Sequence, residues 1–146
     1  DETLARQVAG RFVEEPTPYA RHRVRGEDGT FGTVGTRVLQ PRGTRCTGPV
    51  AVLTGPVVAS SNEAFILMMR AAGAPLLGAT SAGSSGNPRP VELANGVVLV
   101  VPTWQALDLQ GRALEGVGIA PDVEVPWTGD GGDPVLDAAV ERLRVD

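Results

Sequence analysis

Gly48-Pro49-Val50-Ala51-Val52-Leu53-Thr54-Gly55-Pro56-Val57-Val58-Ala59-Ser60-Ser61-Asn62-Glu63-Ala64-Phe65-Ile66-Leu67-Met68-Met69-Arg70 is the stretch whose reading decides the fold. Its first half is a short apolar run, Pro49 to Thr54, fenced by Gly48 and by Gly55-Pro56, which predicts a strand buried on both faces. Its second half, Ala64 to Met69, is apolar all round and predicts a helix sunk in a core. Ser60 falls at the joint. At a helix start the first N–H groups lack intrahelical partners and the positive end of the dipole faces out, so an oxyanion formed beside Ser60 meets donors already in place. A nucleophile fits there. Ser60-x-x-Glu63 is equally a capping box, the serine capping the third helical N–H and the glutamate reaching back. The residues alone leave both readings open.

Downstream, Gly73 is a C-cap for that helix and Pro75-Leu76-Leu77-Gly78 is a second short apolar strand. Strand, helix and strand make a parallel pair with a crossover, hence an α/β fold. Thr80 to Asn87 is small and polar throughout; with Pro88 and Pro90 behind it no helix follows, so it reads as a loop beside the site and not as a phosphate cradle. Asn95-Gly96 between Val91-Glu92-Leu93-Ala94 and Val97-Val98-Leu99-Val100-Val101 predicts a β-hairpin. Trp104 either walls a substrate pocket or belongs to the core. Glu115 to Asp122 is a compact turn segment, Val123 and Val125 resume strand spacing, and Asp133-Pro134 opens a last helix with Leu136, Val140 and Leu143 as its apolar stripe.

Upstream, Asp1 caps a helix carrying Leu4, Val8 and Phe12 on one stripe, with Ala5 and Ala9 beside them. From Tyr19 the residues alternate, Tyr19, Arg21, Arg23 and Arg25 against Ala20, His22 and Val24, which is strand spacing. Gly26 to Gly35 is a polar, glycine-rich loop, and Pro41-Arg42-Gly43 a turn.

The 146 residues are one domain's worth, enough to bury a core without metals or disulfides. A net charge of -4 and the absence of a long basic stripe argue against nucleic acid as a partner. No apolar run is long enough to span a bilayer, no signal-peptide pattern opens at Asp1, and Cys46 stands alone. Nothing calls for a metal or cofactor, and the compartment is left open. All 13 basic residues are arginine.

Taken in order, an apolar strand ending near Thr54, Ser60-x-x-Glu63 opening a buried helix, a small-residue loop after Leu77-Gly78, an apolar hairpin, and Gly116-x-Gly118-x-x-Pro121-Asp122-x-x-Val125 resemble the core of the carboxyl-terminal-processing and tricorn-type serine peptidases. The resemblance implies an α/β, ClpP/crotonase-like core with short parallel strands, crossover helices and a β-hairpin. It makes Ser60 the nucleophile, with the N–H of Ser61 as one oxyanion donor. In the processing branch a lysine from the loop after the second strand is the base, and Ser84 stands about where it would be; a chain without lysine cannot hold that dyad. The tricorn-like branch uses histidine as base with a second serine and a glutamate in support. Glu115 matches that glutamate, with Gly116 where the family often has asparagine.

In the family the histidine and the strand giving the other oxyanion donor lie upstream of the region matched here. His22 sits on a strand the family does not use for catalysis and reads as structural. The expectation is therefore that residues 1–146 are the C-terminal part of a serine peptidase catalytic core, inactive alone and completed by the upstream part of the same protein. Its substrate is a peptide or protein; assembly into a homo-oligomer is left open. Two alternatives stand beside it: a non-catalytic peptide-binding or scaffolding module of the same fold, and a crotonase-like acyl-thioester enzyme, since one fold hosts both chemistries.

Overall fold

The computed structural model describes residues 2–129 and 131–145. The elements in order are α1 (Glu2–Ala9), β1 (Thr17–Val24), β2 (Gly35–Leu39), β3 (Val52–Thr54), α2 (Ser61–Ala71), β4 (Leu76–Gly78), β5 (Pro88–Glu92), β6 (Val98–Pro102), β7 (Trp104–Leu107), β8 (Val123–Glu124) and α3 (Pro134–Val145). They form three sheets: antiparallel β2-β1-β7, parallel β3-β4-β8 and the hairpin β5-β6. The chain is mixed α/β, as its patterning predicts.

Helix α2 crosses over between the parallel strands β3 and β4 and packs on α1 and β1, so it joins two of the sheets. Ile66, Leu67, Met68 and Met69 are all buried, which answers to the all-round apolar run. The helix ends in a Schellman motif: Gly73 N–H donates to the Arg70 carbonyl (2.9 Å) and Ala74 N–H to that of Met69 (3.0 Å), with Gly73 at φ 89°. This fixed stop turns the chain directly into β4.

Four expectations are corrected. Strand β3 is only three residues long and alternates, Val52 and Thr54 buried and Leu53 exposed, because just one of its faces meets the core. In β1 the pairing with β2 slips between Pro18 and Ala20, so Tyr19 and Ala20 are both buried and the simple alternation fails; a bulge puts consecutive side chains on the core side. Helix α1 turns Ala9 inward and leaves Leu4 and Val8 exposed; Asp1, its expected cap, lies outside the described residues. Helix α3 buries Ala139, half-buries Leu143 and leaves Leu136 and Val140 exposed; the side it turns to β4 also carries Val135, which packs against Gly78. In each helix an alanine is the most deeply buried of the described side chains.

The hairpin forms as the Asn95-Gly96 pair predicts. Gly96 N–H donates to the Leu93 carbonyl (2.9 Å) and Leu93 N–H to that of Val97 (2.8 Å), with Gly96 at φ 80°. The turn centres on Ala94 and Asn95, and Gly96 takes the left-handed position that follows a type I hairpin turn.

Candidate active site

Ser60 is exposed at the head of α2 and its backbone is unusual, φ 56° and ψ -120°. Asn62 N–H donates to the Ala59 carbonyl (3.1 Å), which makes Ala59 to Asn62 a type II′ turn with Ser60 at the position glycine normally fills. A non-glycine residue there is strained, and strain of this kind is kept where the surroundings over-determine it. The surroundings are a short β3, a buried α2 and the loop from Ser81 to Ser85, whose Ser84 carbonyl accepts the Ser60 N–H (2.8 Å).

The capping box is present in arrangement: Glu63 Oε2 accepts the Ser60 N–H at 3.2 Å and Ser60 Oγ faces the Glu63 N–H, yet the hydroxyl closes no cap hydrogen bond of proper geometry. Ser61, the first helical residue, has an N–H with no acceptor among the described residues. Ser60 therefore presents a hydroxyl beside an open backbone donor at the positive end of α2.

Glu63 does more than sequence reasoning gave it. Its side chain is fully buried and takes hydrogen bonds from Ser81 Oγ (2.6 Å), Ser85 Oγ (2.6 Å), Gly83 N–H (2.7 Å) and Ser84 N–H (3.0 Å), besides Ser60 N–H. Burial pushes its carboxyl pKa up, but the bonds from Ser81, Ser85, Gly83 and Ser84 outweigh that and hold it below the usual carboxylate value. Glu63 is thus a buried anion around which the polar loop is wrapped. The one signal in the sequence is that three serines and a glycine follow the second parallel strand, one crossover after the capping-box glutamate.

Glu115 is exposed and its Oε2 accepts the Ser85 N–H (2.9 Å). It borders one cleft together with Ser60, Ser84, Val100 and Pro102, so the two predicted catalytic residues are brought to a common space. Gly116 follows at φ 72°, the left-handed region that asparagine also enters, which explains how glycine stands where asparagine is common in the resembled family. Gly118 has a separate reason: at φ 77° its place would put a Cβ 2.3 Å from the Ser81 carbonyl oxygen. Asp122 completes the motif, its Oδ2 accepting the Leu76 N–H of β4 (2.8 Å).

Ser60 also borders a second cavity of about 200 Å³, shared with Ser61, Trp104, His22, Arg37 and Glu2. Trp104 is half-buried on β7; its Nε1–H donates to the Ser85 carbonyl, and its ring meets that of His22 with centroids 5.0 Å apart. Burial and the nearby Arg37 cation lower the His22 pKa, leaving a neutral imidazole at pH 7. The predicted pocket wall and the residue read as structural thus face the same cavity as Ser60.

Among the described residues no group of His, Cys, Asp and Glu is arranged to hold a metal ion, and no helix is long and apolar enough to cross a membrane.

Residues 4–125 match Peptidase family S41, and the chain belongs to that family. No curated protein matches it. Solved structures do: a presumptive peptidase from Parabacteroides merdae superposes with a TM-score of 0.87 at 29% identity over 98% of this chain and 48% of its own. Mature CPAF in complex with lactacystin gives 0.77 at 14% identity over 97% of this chain and 40% of its own. The tricorn protease gives 0.62 at 22% identity over 97% and 14%. The chain spans less than half the length of each of these proteins.

Proposed function

We propose that this chain carries the nucleophile of a serine peptidase, in a ClpP/crotonase-like core whose remaining part lies upstream in the same protein. Ser60 Oγ attacks a peptide carbonyl and the N–H of Ser61 helps hold the resulting oxyanion. Glu115 orients the base, which is a histidine from the upstream part. The carrying observation is the conformation of Ser60: a strained, exposed serine at the tip of a buried helix, on a cleft it shares with Glu115. An ordinary helix cap needs neither the strain nor the cleft. Membership of Peptidase family S41 supports peptide or protein as the substrate.

The test is labelling of the full-length protein with a serine-directed phosphonate. Label should appear on Ser60 and vanish in Ser60→Ala; label retained by the variant removes Ser60 from the mechanism. His22 supplies a second reading of the base, since it is a neutral imidazole on a cavity that Ser60 borders. His22→Gln separates the two: loss of labelling in a folded variant moves the base into this chain.

A further inference from the structure

The cavity beside Ser60 has a lining that divides by chemistry. Helix α2 brings the hydroxyls of Ser60 and Ser61, Ala20, Ala64 and Leu114 belong to an apolar part, and α1, β1 and β2 bring Glu2, Tyr19 and Arg37. At about 200 Å³ it is below the roughly 300–1,000 Å³ of small-molecule sites, which suits one side chain or one chain end better than a cofactor.

The charged part is not neutral. Glu2 Oε1 alone accepts from Arg6 Nε (3.1 Å), Arg6 Nη2 (3.0 Å), Tyr19 OH (2.6 Å) and Arg37 Nη2. Tyr19 OH in turn accepts from Arg37 Nε (3.0 Å) and Arg6 Nη2 (2.9 Å), and burial raises its pKa, so the phenol stays uncharged. Among the described residues two guanidiniums share one carboxylate, leaving one positive charge in excess. Arg6 is spent on Glu2 and Tyr19. Arg37 lines the cavity, has its Cζ over the Trp104 ring (4.8 Å to the centroid), and keeps an Nη1 with no partner among the described residues. Tyr19, Glu2 and Trp104 thus hold a guanidinium in place with the Nη1 donors unspent, a preorganised cation for an incoming acceptor.

We propose that this cavity is a specificity pocket and that Arg37 selects a substrate carboxylate next to the scissile bond. The inference rests on Ser60 being the nucleophile, because only then does the pocket adjoin the reacting carbonyl. A carboxylate gains a charge-assisted bond and meets the excess positive charge; a lysine or arginine side chain meets repulsion, and a leucine leaves Nη1 unpaired. The carboxylate has two sources, an acidic side chain or the free end of a short substrate.

The experiment uses full-length protein and a peptide series that differs only in Glu, Gln, Leu or Lys at each position flanking the cleaved bond, with the C-terminus free or amidated. Glu should be preferred over Lys by about tenfold or more in kcat/KM at one flanking position, as expected for a single charge-assisted bond. If the preference instead follows the free over the amidated end, the pocket reads the chain terminus. Arg37→Met should bring either ratio close to one while the protein keeps its circular dichroism spectrum; Glu2 retains Arg6 and Tyr19 as partners in that variant. Arg37→Lys, which keeps the charge but loses the guanidinium that Tyr19 and Glu2 hold in place, should fall between. Equal cleavage of Glu, Leu and Lys peptides, with no effect of amidation, overturns the inference. Binding of the same peptides to Ser60→Ala protein, read by fluorescence anisotropy, repeats the comparison without turnover. A carboxylate preference in binding with no cleavage by the parent would sink the peptidase reading and with it the specificity role, leaving only a carboxylate-binding cavity; cleavage that depends on Ser60 with no carboxylate preference would sink the pocket alone.

Discussion

Ser60 carries a cost that a cap would not. Glycine reaches φ 56° without a Cβ clash, so Ser60→Gly should stabilise the folded chain by about 1 kcal/mol, whereas Ser60→Ala should leave stability nearly unchanged. Urea midpoints of the two variants check this; a Ser60→Gly protein less stable than Ser60→Ala would mean the backbone is not strained. Glu63 is the opposite case, a residue whose loss should be severe. Gln in its place turns an acceptor of five donors into a group with its own N–H donors, and should cost about 2–4 kcal/mol. The sign with pH follows from its lowered pKa. Its contribution is complete above the ordinary glutamate pKa, about 4.3, and is lost as pH falls through the lower folded-state value. Stability of the natural chain should therefore fall in acid below about pH 4, and the Glu63→Gln variant should show a shallower fall over the same range.

At the scale of elements, the order of the chain was legible because its signals are local. The apolar run before Ser60, the all-round apolar helix, Gly73 and Asn95-Gly96 each fix their own neighbourhood, and the structure has α2, its Schellman stop, β4 and the hairpin at those places. Which side of α1 and α3 faces inward was not legible, since that is settled by how near the neighbouring element can come; Ala9 and Ala139 are buried where Leu4, Val8, Leu136 and Val140 are exposed. The role of Glu63 was hidden for a similar reason: four of its five donors lie 18 to 22 residues away, and only the crossover brings them to it. The Gly116-to-Asp122 segment was matched as a pattern, and its physical basis appears only in contact. Gly118 passes against the Ser81 carbonyl, Ile119 N–H donates to Ser81 Oγ (2.8 Å), and Ser81 Oγ donates to Glu63. Gly118→Ala combines a forbidden φ with a Cβ at 2.3 Å, and should destabilise by roughly 3 kcal/mol or more. Gly116→Asn, where no atom lies within 4 Å of the added Cβ, should cost under about 1 kcal/mol. Thermal melts of the pair distinguish a packed glycine from a merely left-handed one.

Across the whole molecule the apolar surface is unevenly placed, and the hairpin holds much of it. Val98 and Val100 are 56% and 68% exposed, and every residue of β5 and β6 is open to solvent. The two edges of this two-stranded sheet differ. With Leu93 and Val97 closing the turn through a hydrogen bond, the pairs Val91–Leu99 and Arg89–Val101 bond inward, and Pro88 and Pro90 on β5 face out along with Val98 and Val100 on β6. The prolines offer no N–H, so the β5 edge is blunted. The β6 edge keeps its donors at Val98 and Val100, on an apolar strand with no charged side chain, which is the pattern that pairs with another chain. Val100 and Pro102 also border the Ser60 cleft, so whatever covers this edge changes access to the serine. The isolated 146-residue chain should therefore self-associate through β6. Sedimentation velocity over a concentration series should show species larger than the monomer, and Val100→Lys, a charge on the open edge, should return the chain to monomer. Arg89→Ala, on the blunted strand, should not. Equal association in both variants would place the contact elsewhere, with the exposed Leu4 and Val8 of α1 as the next surface to change.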